Sequence, residues 1–120
     1  AVPVKSAQVM VLQCQDQWLW LQRPNTGLWG GLWSLPIYED SAELSQTTQM
    51  LGLKANHQRA QISHSFTHFT WLLEAICFHV EPEQQEHIAI ELSGTWFTPQ
   101  KATQMGLPTA MKKLISALEI

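Results

Sequence analysis

The run Trp71-Leu72-Leu73-Glu74-Ala75-Ile76-Cys77-Phe78-His79-Val80 constrains this chain more than any other segment. Side chains on a strand alternate between faces, and here both alternating sets are largely apolar. Such a strand is buried on both sides, so Phe69 to Val80 predicts the centre of a sheet covered on each face. Ala7 to Cys14 is a second strand, rich in apolar and β-branched residues, and Gln15-Asp16-Gln17 turns it into Trp18-Leu19-Trp20-Leu21 as a hairpin partner. Ala60 to Ser63, His87 to Ser93 and Gly94 to Thr98 read as further short strands, with Glu81 to Glu86 an exposed acidic loop. Helices are predicted from the capping-box-like Asp40 and Glu43 to a stop at Gly52, briefly after Pro99, and from Pro108 onward. In the last, Met111, Leu114, Ile115 and Leu118 share one face, and Lys112 and Lys113 fall on the wet one. The expected fold class is therefore α+β, a mixed β-sheet flanked by helices.

With 120 residues, 45% of them hydrophobic, the chain is one domain with a real core, residues 1–120. Residues 1–6 are expected to be the remnant of a linker, because the sequence opens on Ala1 rather than Met and reads as a piece of something longer. No apolar run approaches the ~20 residues needed to span a bilayer, and no signal peptide opens the chain, so a cytoplasmic monomer without a membrane partner is expected. A formal net charge of -3 argues against gripping nucleic acid by bulk charge. Cys14 and Cys77 read as buried free thiols, and two cysteines cannot complete a four-cysteine metal site.

Between Arg23 and Pro36 regularity breaks. Pro24, Asn25, Gly27, Gly30 and Gly31 punctuate the segment while Leu28, Trp29, Leu32 and Trp33 anchor it, which predicts a packed loop. Strand, Arg23, glycine-rich loop, Trp33-Ser34-Leu35-Pro36, helix, Gly52-Leu53: this order resembles the layout of Nudix hydrolases. In that family a box, G-x5-E-x7-R-E-U-x-E-E-x-G-U with U aliphatic, carries glutamates that hold divalent metal on a diphosphate. Counted back from Gly52-Leu53, its arginine and glutamate positions fall on Ser45, Gln46, Gln49 and Met50. Neutral amides and a thioether do not replace hard anionic ligands for Mg²⁺. Glu39, Asp40 and Glu43 remain as an acidic cluster at the helix start, read as a weak metal site or, more economically, as capping and dipole partners.

Two stretches together sharpen the resemblance: Leu21-Gln22-Arg23-Pro24-Asn25-Thr26-Gly27-Leu28-Trp29-Gly30-Gly31-Leu32-Trp33-Ser34-Leu35-Pro36, and His64-Ser65-Phe66-Thr67-His68-Phe69. With Thr95-Trp96-Phe97 and Gly106-Leu107-Pro108-Thr109-Ala110, they are similar to the C-terminal domain of MutY-type adenine DNA glycosylases. That resemblance implies a Nudix-like domain, itself no enzyme, that senses 8-oxoguanine opposite adenine in duplex DNA. A separate catalytic domain of the same chain, which carries an iron–sulfur cluster, would then remove the adenine. No cofactor is implied for this domain. The implied lesion-contacting residues are Phe66, Thr67 and His68 with Ser65 beside them, and Gly27 and Leu28 in the loop; Thr67 stands where many relatives have serine.

The chemistry of the base agrees. Oxidised guanine carries a donor at N7, where guanine has an acceptor, and a new carbonyl at C8. A hydroxyl such as that of Thr67 accepts from N7–H, while backbone N–H groups donate to the carbonyl. Phe66 pins the loop, and His68 steers it or meets a phosphate. Arg23 reads as a phosphate contact or a structural ion pair, and Trp29 and Trp33 as core anchors or stacking platforms. His64 and His68 would suit zinc on a helix, but a strand or turn separates them. Two rival readings stand beside this one: a metal-dependent hydrolase of oxidised nucleotides, and a protein-docking module.

Overall fold

The computed structural model describes residues 2–118. Its centre is the pair β1 (Val4–Cys14) and β6 (Thr70–His79), which run parallel in unbroken register from Val4 opposite Thr70 to Gln13 opposite His79. β1 thus begins at Val4, and Val4 to Ser6 pair with Thr70 to Leu72. The remaining strands are β2 (Gln17–Gln22), β3 (Trp33–Ser34), β4 (Ile37–Tyr38), β5 (Ala55–Ser65) and β7 (Thr95–Phe97). The sheet order is β3-β2-β1-β6-β5, with β4 pairing β1 and β7 pairing β2.

Alternation along β1 and β6 sorts the core into two layers. Val9, Val11, Leu73, Ala75 and Cys77 pack with Ala110, Met111, Leu114 and Leu118 of α4 (Thr109–Leu118) and Ala102 of α3 (Pro99–Gln104). Met10, Leu12, Phe78 and Val80 point the other way, onto Leu44 and Ile88. Those two residues belong to α1 (Ser41–Met50) and α2 (Gln85–Leu92). The mixed sheet flanked by helices is the expected α+β architecture. Among the described residues, no helix is long and apolar enough to cross a membrane.

Four elements differ from the sequence reading: the two-residue strands β3 and β4, which it did not expect, and α2 and β5. His87 to Ser93, expected as a strand, lies mostly in α2, which follows directly from a 3-10 turn at Pro82–Gln84 within the expected acidic loop. Ile88 and Ile90 imitate strand alternation, yet Ile88 is buried and Ile90 is 69% exposed. Residues two apart share a face on a strand and diverge on a helix, so burial decides the matter. β5 is also far longer than Ala60 to Ser63. Its polar half-buried side chains are satisfied internally: Gln58 Nε2 donates to the Leu118 carbonyl at 2.6 Å, and Asn56 Nδ2 to Gln13 Oε1 at 3.2 Å. Apolar alternation is confined to Ala60 and Ile62, so the Asn56 and Gln58 end leaves none to read.

Candidate functional site

The hairpin joining β5 to β6 carries the Phe66–His68 segment. The Phe66 N–H donates to the Phe69 carbonyl at 2.7 Å, which leaves Thr67 and His68 as a two-residue tip. Both tip residues are exposed, as is Ser65, whose hydroxyl lies 3.4 Å from that of Thr70 across the hairpin. Phe66 is half-buried and stacks on Phe69, with ring centroids 4.7 Å apart. It also meets His64 edge-on at 4.8 Å. The short tip is thus seated on an aromatic base.

The loop from Arg23 to Leu32 is closed by backbone bonds at its ends: Arg23 N–H to the Leu32 carbonyl at 2.8 Å, and Gly31 N–H to the Pro24 carbonyl at 3.0 Å. Gly30 has no room for a side chain, since a Cβ there would lie 2.8 Å from the Asn25 carbonyl oxygen. Trp29 takes a left-handed conformation (φ 56°), a strained setting for an aromatic residue, and packing holds it there. Its ring sits 5.5 Å from that of Trp71 and 6.4 Å from that of Phe66. Gly27 is exposed with φ 85°, whereas Leu28 is half-buried against the α4-side core. Trp29 therefore ties the loop to the hairpin tip, and Trp33, at β3, packs edge-on against Phe97 at 5.2 Å.

Trp71 has a second role. It walls a cleft of about 480 Å³ together with Arg23, Ile37, Glu39, Asp40 and Glu43. Arg23 Nε is buried there without a hydrogen-bond partner, and no carboxylate lies within ion-pair distance of it among the described residues. Asp40 caps α1, its carboxylate accepting from the Ala42 N–H at 2.9 Å.

His64, beneath Phe66, has its Nδ1 buried without a partner. Burial lowers its pKa from 6.5, and the Lys113 ammonium adds to the effect, so the ring is neutral at pH 7. Cys14 and Cys77 are both buried free thiols. Burial pushes Cys77 up to about 11, with Arg59 pulling weakly the other way, and raises Cys14 with help from Glu81 and Glu83.

A model of the NUDIX domain matches residues 7–117. The chain belongs to the Nudix family. Solved structures share the fold at low identity. The E. coli ORF135 protein is 20% identical with a TM-score of 0.65, covering 97% of this chain and 89% of its own. The C. elegans Ap4A hydrolase is 14% identical with a TM-score of 0.66, covering 95% of each chain. Shewanella oneidensis NrtR is 15% identical with a TM-score of 0.67, covering 95% of this chain and 61% of its own.

These findings correct one expectation. That the domain is itself no enzyme does not stand against membership of the Nudix family and an Ap4A hydrolase among the structures that share its fold. Neither the family description nor these structures name a DNA glycosylase or 8-oxoguanine. They favour the hydrolase alternative over lesion recognition.

The family box implies a divalent metal, and the residues present do not fit one. Measured from Gly52, the box's opening glycine falls on Gly31 and its first glutamate on Ile37, a correspondence the sequence reading missed. Gly31 keeps the positive φ of a turn glycine, but Ile37, Gln46, Gln49 and Met50 offer no carboxylate. Among the described residues, no group of three or more His, Cys, Asp or Glu side chains is placed to hold a metal, so Glu39, Asp40 and Glu43 line the cleft without converging.

Proposed function

We propose that this Nudix domain binds an oxidised guanine, with the base edge at the Thr67–His68 tip and the phosphate side toward Arg23. The observation that supports this reading is the placement of Trp29. Its ring contacts both Phe66 and Trp71, which joins the Gly27 loop to the hairpin tip, and Trp71 in turn walls the Arg23 cleft. A base held at the tip presents N7–H to the Thr67 hydroxyl and its C8 carbonyl to backbone N–H groups of the hairpin or the loop. Arg23 lines that cleft beside Glu39, Asp40 and Glu43, and its guanidinium is the group there that suits an anionic oxygen.

The family favours a free nucleotide derivative, hydrolysed by the domain, as the source of that base. A second setting is 8-oxoguanine opposite adenine in duplex DNA, sensed on behalf of a companion adenine-excising domain. The exposure of Thr67 and His68 favours this one, because a base still stacked in a duplex is reached only by a protruding tip. Two measurements separate them: turnover of 8-oxo-dGTP with Mg²⁺, and equilibrium binding to duplexes holding 8-oxoguanine or guanine opposite adenine. Turnover establishes the hydrolase; preference for the oxidised duplex over the guanine duplex establishes lesion sensing. In either setting Thr67→Ala reduces selectivity for the oxidised base by about 1–3 kcal/mol, the value of one good base contact. Absence of both turnover and preference contradicts the proposal.

A further inference from the structure

The acidic segment from Glu81 to Glu86 lies outside the loop and hairpin described above, and it borders a groove of its own. About 470 Å³ in volume, this groove is lined by Pro82, by Gln85, Glu86 and Ala89, and by Gly94 and Trp96. Trp96 belongs to β7, where it pairs with Leu19 of β2. Its indole N–H donates to the Gln85 carbonyl at 2.8 Å, which fixes the ring against the start of α2. The ring is half-buried: part of it packs on the α1- and α2-side core, and the rest lines the groove. Ile90, one helical turn after Glu86, is 69% exposed and extends the apolar surface along α2.

Glu81, Glu83 and Glu86 are all exposed. Among the described residues, the only ion pair is His79 with Glu81, so Glu83 and Glu86 have no cationic partner. The nearest lysines and arginine along the fold are set apart from the groove. Lys54 and Arg59 share this end of the sheet but lie before and on β5, and β6 and β1 separate that strand from β2 and β7. Lys101 is on α3, whose Ala102 packs in the opposite core layer. An apolar groove with a fixed indole and an unpaired carboxylate is complementary to a cation carried on an apolar stem, and it repels polyanions. Arginine fits best, because its planar guanidinium stacks on a ring while its N–H groups pair with a carboxylate.

We propose that the groove between α2 and β7 docks a basic peptide segment of a partner protein, with an arginine on Trp96 beside Glu86 and an aliphatic side chain against Pro82 and Ala89. The inference is independent of what the hairpin binds, because none of these residues belongs to the loop, the tip or the Arg23 cleft. The apolar contacts supply affinity, and the carboxylates supply the preference for a cationic segment over a neutral or acidic one.

The test is an NMR titration of the chain with a capped peptide of alternating leucine and arginine, following the Trp96 indole N–H and the Glu86, Ala89 and Thr95 amides. The comparison peptides carry citrulline, a neutral isostere of arginine, or glutamate in its place. The arginine peptide moves these resonances saturably, the citrulline peptide binds about two- to fivefold more weakly, and the glutamate peptide does not bind. Glu86→Gln, at an exposed position that leaves the fold intact, weakens the arginine peptide by a similar factor and leaves the citrulline peptide unchanged. Glu43→Gln, on α1, changes neither. Equal affinity for the arginine and citrulline peptides, shifts at the hairpin tip instead of the groove, or an arginine affinity untouched by Glu86→Gln would overturn the inference. So would concentration-dependent shifts of the groove resonances without peptide, which would make a second copy the occupant.

Discussion

At the scale of single residues, Thr67 and His64 divide the work at the hairpin. Thr67 is exposed and supplies one rotatable hydroxyl, so Thr67→Ser retains selectivity that Thr67→Ala loses. His64 lies beneath Phe66, in edge-on ring contact with it. Because its folded pKa is depressed below 6.5, the unfolded chain binds more protons in that window, and its share of stability is present above 6.5 and lost as pH falls toward the folded value. Urea midpoints of the chain and of His64→Phe, compared between neutral pH and about pH 5, check this: the variant shows the shallower pH dependence. An identical pH dependence would show that His64 titrates as in the unfolded chain. Thr67 and its neighbours were legible in the sequence as a tip by resemblance. His64's orphaned nitrogen was not, since it depends on how α4 packs on β5.

At the scale of elements, α1 shows what a family helix retains when its charged face is replaced. Asp40 still caps it, Leu44 still anchors it to the sheet, and Gly52 with φ 68° still ends it. The positions that carry glutamates in the family box are Gln46, Gln49 and Met50 here, and Met50 is 68% exposed. Asp40→Ala removes the cap and costs about 1 kcal/mol, read as a lowered denaturation midpoint. Because Asp40 also lines the Arg23 cleft, Asp40→Asn, which keeps a capping oxygen, separates the two roles. The central strands and α1 could be read from apolar pattern and caps. α2 could not, because Ile88 and Ile90 copy a strand period that only burial resolves. The full extent of β5 was hidden because the Asn56–Gln58 end of its half-buried face is closed by amide side chains, with apolar residues only at Ala60 and Ile62.

At the scale of the whole molecule, the sheet's two layers set the site. The rings of Phe66, Phe69, Trp29 and Trp71 pack against the α4-side core, so the rim grows out of one core layer and is supported by it. The fold class was legible from a doubly apolar central strand together with capped helices. The meeting of loop and hairpin was not legible from spacing, because Arg23 to Leu32 and Phe66 to Phe69 are brought together by Trp29 packing against Trp71. The corrected point, whether the domain is an enzyme, was argued from missing carboxylates on one helix; family membership speaks to the whole fold.

The most direct test of the central claim is an amide NMR titration of the chain with 8-oxo-dGMP, using dGMP as reference. The account predicts shifts concentrated at Thr67, His68 and Gly27, with the Trp29 indole following, and weaker effects from dGMP. Shifts confined to the α2 end of the sheet, or equal responses to the two nucleotides, would contradict it.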